Sequence, residues 1–378
     1  MANVRQVERK AGRAYEVRWR EHGKERQRTF PVKREAERFA LKVEGEQAAG
    51  ASTEPLAGRG KTFQEVLDAS LAASRPRLKP TTYEGYLLLY KARILPRFGR
   101  QRIAAVTSEH VEQWIAGLTA EGLATSTIRN HYVAVSKVFR YAVRHRIVSH
   151  NPCDAVQLPR AGSAADFAPV FLTAAQVEAV AAELDAVHPY GTVVRFAAQT
   201  GLRSAEISGL RIRDVNLAAG HVEVRQTVKR LNGEWAVGTP KSARSTRNVP
   251  LLSRALTAEL RRLLVAHPAS GDGNAIFFPG NTHASRRLDW TQPLDTGRVR
   301  RYHLVPAARR LGIADHMRFH DLRHTYASLM LAAGFEPYKV SRWMGHGSVA
   351  TTDGIYGHLY QADYNAQIDQ FEAFVATR

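Results

Sequence analysis

Two interruptions of the hydrophobic pattern decide how this chain can fold. The segment from Gly50 to Lys61, GASTEPLAGRGK, is rich in small residues, Gly and Pro and reads as a linker. A second linker runs from about Pro159 to Pro169. With linkers at 51–61 and 159–169, the 378 residues divide into units at 1–50, 62–158 and 170–378. That length can bury separate cores. The expected fold is multidomain: a small α+β N-terminal domain, an all-α four-helix domain, and a mainly helical α+β domain with a small antiparallel sheet.

Periodicity fills in each unit. In the first, alternating stretches Ala14 to Trp19 and Gln27 to Val32 flank a His22-Gly23-Lys24 turn, which predicts a hairpin. A helix follows, with Ala36, Phe39, Ala40 and Val43 on one face. In the second, Thr62 caps a helix carrying Phe63, Val66, Leu67 and Leu71, and Pro80-Thr81 opens another. Thr107-Ser108 starts a third with Val111, Trp114, Ile115 and Leu118, ending near Gly122. Thr125 or Ser126 begins a long basic fourth, stopped by Asn151-Pro152. In the third unit Thr173 caps a helix and another follows Gly201. Strands are expected at Val222 to Val228, Trp235 to Val237 and Arg247 to Leu251, with helices after Leu252.

A formal charge of +19, spread along the whole chain, points to a polyanionic partner, of which nucleic acid is the commonest. One cysteine, Cys153, excludes a disulfide framework and a cysteine-based zinc site. MANVRQVERK lacks the apolar stretch of a secretory signal, and no apolar run approaches a membrane span. The expected location is therefore intracellular, cytoplasmic in a bacterium.

Three strings carry chemistry. In Thr200-Gly201-Leu202-Arg203-Ser204-Ala205-Glu206-Ile207, a glycine turn enters a helix with an arginine in its first turn. A guanidinium there stands beside free backbone N–H groups, a good place for a phosphate. In His320-Asp321-Leu322-Arg323-His324-Thr325, His320 and Arg323 share a helix face and can grip one group together. His320 and His324 are also four apart, a metal-ligand spacing. A zincin needs Glu after the first His, and Asp321 occupies that place, so no metal and no cofactor are expected. The third string is Met344-Gly345-His346, followed ten residues later by Ile355-Tyr356-Gly357-His358. One tyrosine among thirteen is ordinarily a packing residue, and only its company makes Tyr356 a candidate nucleophile.

Taken in order, TGLRSAEISGL, TPKSARSTRNVPL, HDLRHTYASLMLAAG, MGH and TTDGIYGHL closely resemble the tyrosine recombinase (phage integrase) family. The resemblance is strong from about Val170 to the C-terminus. It is looser over the four-helix module, which is similar to the family's core-binding, SAM-like domain. The basic N-terminal unit resembles the arm-binding domain of many integrases by pattern.

The resemblance implies roles. Arg203 and Arg323 match the pair of guanidiniums that stabilise charge on the phosphate, and a lysine there would lose the bidentate geometry. His320 matches the first histidine, donating to the phosphate and able to accept the nucleophile's proton. His346 matches the residue that donates a further hydrogen bond beside the tyrosine. Lys241 stands where the family places its mobile lysine, the general acid to the departing 5′ oxygen, with Lys229 as competitor. Pro240, Ser242, Arg247 and Pro250 favour Lys241. Glu206 would brace Arg203. Tyr356 would attack in line, leaving a 3′-phosphotyrosine and a Holliday junction route with no ATP. Tyr360 and Tyr364 lack the Thr351-Thr352 and His358 frame. Gly354, a poor helix former, would leave the Tyr356 segment loose.

The implied partners are double-stranded DNA at core and arm sites, a homotetramer on that DNA, a directionality factor and a host DNA-bending protein, with no membrane. Tyr364, Ile368, Phe371 and Val375 form an apolar stripe that would dock on a neighbouring protomer or on its own domain. Rival readings are a chromosome-dimer resolvase, a type IB topoisomerase, and a silent DNA-binding protein of the same fold. The last is opposed by every family position being filled. The extra N-terminal unit favours an integrase of a phage or mobile element.

Overall fold

The computed structural model describes residues 2–9, 12–21, 24–48, 60–159, 169–239, 246–282, 287–346, 356, 368, 371–373 and 375–376. The His22-Gly23 turn, most of both linkers, Lys241 with Pro240 and Ser242, Thr351-Thr352, Gly354, His358, Tyr360 and Tyr364 lie outside these residues. The chain forms two compact units, 1–163 and 164–378.

The first unit opens with a three-stranded antiparallel sheet, β1 (Asn3–Arg9), β2 (Gly12–Glu21) and β3 (Lys24–Phe30), where the alternation had suggested a two-stranded hairpin. The missed strand, β1, is mostly polar and charged, so little hydrophobic alternation marks it. Helix α1 (Lys33–Ala48) covers one face and buries Val17, Trp19, Ala36, Ala40 and Val43. On the other face Arg5 and Arg18 both donate through Nε to the buried Glu16 carboxylate, at 2.9 and 2.7 Å.

The helical module follows: α2 (Phe63–Ser74), α3 (Pro80–Leu89) continuing through a π turn into α4 (Leu95–Phe98), then α5 (Ser108–Ala120) and α6 (Thr125–Arg144). Thr62 and Thr107 cap as their sequence positions suggest: each side chain accepts from the third helical N–H, at 3.2 and 3.3 Å. The long helix α6 ends at Arg144, ahead of the Asn151-Pro152 stop, and its apolar face, which includes Phe139, closes a core with Phe63, Phe98 and Trp114.

The second unit is built from α7 (Ala174–Asp185), α8 (Tyr190–Thr200), α9 (Ser204–Ser208), β4 (Val215–Asn216), β5 (His221–Val224), β6 (Thr227–Leu231), β7 (Glu234–Gly238) and β8 (Arg247–Pro250). It continues with α10 (Arg254–Val265), β9 (Pro279–Asn281), β10 (Leu288–Pro293), α11 (Thr296–Val299), α12 (Val305–Arg310), α13 (Asp321–Ala332) and α14 (Pro337–Met344). The stretch expected as one strand from Val222 to Val228 is two, broken at Arg225-Gln226. β5 joins an antiparallel sheet of order β4-β5-β8, while β6 pairs with β7. The β9–β10 pair interrupts the helices expected after Leu252. Both are short and irregular, with Pro at an end of each, which hides their alternation. No helix among the described residues is long and apolar enough to cross a membrane.

Helix α8 is central. Val193, Val194, Phe196 and Ala197 are buried in the main core with Phe277, Phe278 and Leu322. It ends at Gly201 with φ +61°, and a Cβ there would lie 2.3 Å from the Tyr326 ring. The chain can reverse into Arg203 only because this position has no side chain. Gly201→Ala should therefore destabilise the protein by about 2–4 kcal/mol, combining left-handed strain with overpacking. Urea denaturation checks this, and a change within about 0.5 kcal/mol, ordinary for a surface site, would contradict it.

Candidate active site

Arg203 stands one position earlier than the sequence suggested, as the N-cap of α9 rather than in its first turn. Its backbone N–H donates to Glu206 Oε2 at 2.8 Å and its Nη1 to Oε1 at 2.9 Å. Glu206 does more than brace Arg203. From β8, Arg247 lays both terminal nitrogens on the same carboxylate, at 3.0 and 2.9 Å. A third guanidinium comes from the first turn of α13, where His320 is the N-cap and Arg323 follows.

All three arginines meet at one helix end. A helix leaves its last carbonyls without intrahelical donors, and its dipole makes that end negative. At the end of α14, Arg247 Nε donates to Trp343 O at 2.5 Å, Arg323 Nη2 to Met344 O at 2.8 Å, and Arg203 Nη2 to Gly345 O at 2.8 Å. Gly345, at φ +68°, turns the chain in a Schellman closure in which His346 N–H reaches Ser341 O at 3.1 Å. A Cβ on Gly345 would approach the Arg247 guanidinium to 2.9 Å. Arg323 Nη1 also donates to Gly201 O at 2.6 Å, linking this helix end to the turn that carries Arg203.

Three cations around one carboxylate give the described residues here an excess of positive charge, the electrostatics of an anion site. Burial alone would raise the Glu206 carboxyl. The hydrogen bonds and charge of Arg247, with Arg203 behind them, outweigh it and hold Glu206 below the ordinary carboxylate range. Burial, with Arg203 next to it, pushes Arg323 down to about 9, so it stays charged at neutral pH. His320 and His346 are driven down to about 4 and about 3, by burial first and neighbouring positive groups second. Both rings are neutral at pH 7 and can donate without adding charge.

Tyr356 lies 1% exposed among Tyr326, Val340 and Met344. Its hydroxyl is 2.7 Å from His324 Nδ1, and burial pushes its pKa up to about 12. Of the residues selected from sequence, the structure brings together Arg203, Glu206, His320, Arg323, His346 and Tyr356. Lys241 lies outside the described residues, between the end of β7 and the start of β8, and its competitor Lys229 is exposed on β6. Sequence reasoning missed two members of this group. Arg247 served only as context for Lys241, and His324 was weighed only as a metal partner of His320. The Arg-x-x-Pro sequence marked the first and adjacency to Arg323 the second, but their partners are 41 and 32 positions away.

The sequence profile of the phage integrase family matches residues 170–363, and that of the phage integrase N-terminal SAM-like domain matches residues 62–119. The chain is 25% identical over 321 residues to the ICEBs1 integrase of Bacillus subtilis (strain 168), covering 83% of each. Its fold is similar to that of the Tn1549 transposon integrase in complex with transposon right end DNA. There the TM-score is 0.66 at 20% identity, over 83% of this chain and 100% of that one. It is also similar to lambda integrase, solved as a tetramer bound to a Holliday junction, with a TM-score of 0.57 at 19% identity over 91% and 95% of the two chains.

Glu206→Gln keeps the shape and removes the carboxylate shared by Arg203 and Arg247. It should cost about 3–5 kcal/mol at pH 7, the usual effect of leaving buried charge uncompensated. Because the native carboxyl is depressed, its contribution is complete above the ordinary value of 4.5 and is lost as pH falls through the lowered native value. Urea melts of both proteins from pH 7 downwards should show the gap closing in acid. A gap independent of pH would mean that charge is not what Glu206 supplies.

Proposed function

This chain belongs to the phage integrase family and is a site-specific tyrosine recombinase, a DNA breaking and rejoining enzyme, and we propose that it acts through a covalent bond to Tyr356. The observation that carries the mechanism is the convergence of Arg203, Arg323, His320 and His346 on the end of α14, with Tyr356 packed against Met344 of that helix. A phosphodiester held there meets two forked guanidiniums and two neutral imidazoles. Its charge would also raise both histidines toward their ordinary range, strengthening them as donors. In cleavage the Tyr356 oxygen bonds to phosphorus, its proton leaves to a neighbouring base such as His320, and the bond from phosphorus to the 5′ oxygen breaks. That oxygen takes a proton from Lys241. A second strand's 5′ hydroxyl reverses these events, so the bond energy is conserved and a Holliday junction joins the two rounds.

The DNA would be held by all three predicted domains, at 1–50, 62–158 and 170–378. The three-stranded N-terminal sheet supports arm-site binding: Arg5 and Arg18 are prearranged by the buried Glu16 on the face that α1 leaves open. That extra sheet favours an integrase of a phage or integrative element over a chromosome-dimer resolvase. The apolar tail residues Ile368, Phe371 and Val375 are 53%, 67% and 53% exposed, which supports docking on a neighbour in a tetramer on DNA. A directionality factor for excision, a host bending protein and a cytoplasmic location in the bacterial host complete the reading.

Tyr356→Phe should bind a core site as the wild type does and form no covalent adduct on a nicked suicide duplex, read on a denaturing gel. An adduct in the variant would remove Tyr356 as nucleophile. Lys241→Ala should lose cleavage on ordinary DNA and regain it, relative to wild type, when the bridging 5′ oxygen is sulfur, because a thiolate leaves without a proton. No relative gain would assign the general acid elsewhere, with Lys229 next in line.

A further inference from the structure

His324 follows Arg323 on α13, and neither its spacing nor the family resemblance gives it a part in the reaction. It is buried, and its Nδ1 is 2.7 Å from the Tyr356 hydroxyl. The phenol keeps its proton at neutral pH and burial disfavours the charged imidazole, so the two share one hydrogen bond whose direction follows the imidazole tautomer. Phe171 meets both rings edge-on, with centroids 6.2 Å from His324 and 6.2 Å from Tyr356. Phe171 is itself anchored, because the next residue, Leu172, donates its N–H to Thr325 Oγ1 at 3.1 Å. The three rings form a clasp attached to α13 on both sides.

A phenol in this clasp is chemically idle. Its oxygen is engaged, its ring is 1% exposed, and no phosphodiester can reach it without displacing protein. Arg323 and His320 belong to the same α13 turn as His324, so release need carry the hydroxyl only from one neighbour's partner to another's. We infer that His324 is a positioning residue that holds Tyr356 in a sheltered resting place, with Phe171 closing the clasp, and that each attack begins by exchanging this bond for the phosphate site. This rests on Tyr356 being the nucleophile. The competing reading of the same bond is that His324 takes the phenol proton during attack.

Two substitutions separate the readings. His324→Asn places an amide group near the position of Nδ1, keeping a hydrogen-bonding partner with no basic nitrogen, while His324→Leu removes the partner. On a nicked duplex with a single core site, where no synapse forms, the Leu variant should form adduct about fivefold faster than wild type. That is the factor expected from losing one hydrogen bond of ordinary net worth. The Asn variant should match wild type. Nitration at Tyr356, followed by mass spectrometry, should rise in the Leu variant alone, and gel shifts on the core duplex confirm folding of each protein. Slow cleavage by both variants, with unchanged nitration, would assign His324 as the base and overturn the clasp. So would rates indistinguishable from wild type in both. Tyr356→Phe run alongside keeps the two readings apart. An adduct there removes the nucleophile assignment, whereas no adduct there with unchanged His324→Leu rates removes only the clasp.

Discussion

Three arginines on one helix end organise the second unit. At the end of α14 the carbonyls of Trp343, Met344 and the following Gly345 would be orphan acceptors, and each is instead taken by a guanidinium from a different element: β8, the α13 first turn, and the N-cap of α9. Glu206 joins two of those guanidiniums through one buried carboxylate. A cation at a helix C-terminus is favourable, but three in one place repel one another. The arrangement holds because every guanidinium is also fixed by directed hydrogen bonds, which a lysine could not reproduce in the same geometry. The excess charge left over suits the site to an anion such as the phosphate proposed above.

The same crowding sets the protonation of everything nearby. His320 and His346 are neutral because burial and surrounding cations both oppose a further positive charge. Tyr356, by contrast, is kept protonated by burial, with Arg323 pulling weakly the other way. On the roles proposed above, the site without DNA contains strong charge stabilisers and a poor nucleophile. On that proposal, bringing an anion to the arginines and moving the phenol out of its burial would act in one direction and tie reactivity to substrate. An enzyme that breaks DNA gains from being inert when alone.

Preorganisation also recurs in the N-terminal sheet on a smaller scale. Glu16 pins Arg5 and Arg18 from beneath, and Arg28 lies over Phe30 and Phe39, with its carbon 5.2 and 4.9 Å from the ring centroids. Long basic side chains lose less entropy on meeting a phosphate when a partner already restricts them. In both places a buried carboxylate holds a pair of arginines in a fixed geometry.

Local chemistry by itself determined much of this protein. Thr62, Thr107 and Thr173 start helices because a hydroxyl one residue ahead of an apolar period can meet a free N–H, a relation within four residues. The succession of TGLR, HDLR, MGH and IYGH named the family and the candidate residues, since order along a chain is visible without a fold. Strand β1, the split between β5 and β6, and the β9–β10 pair were not legible, because short or polar strands owe their existence to the partner edge. Only tertiary structure decided that Arg247 shares Glu206 with Arg203 across 41 positions, and that His324, adjacent to Arg323, turns toward Tyr356. Sequence specifies which groups a chain carries and their local conformation. Which of them meet depends on how helices and strands pack, a property of distances that no local pattern contains.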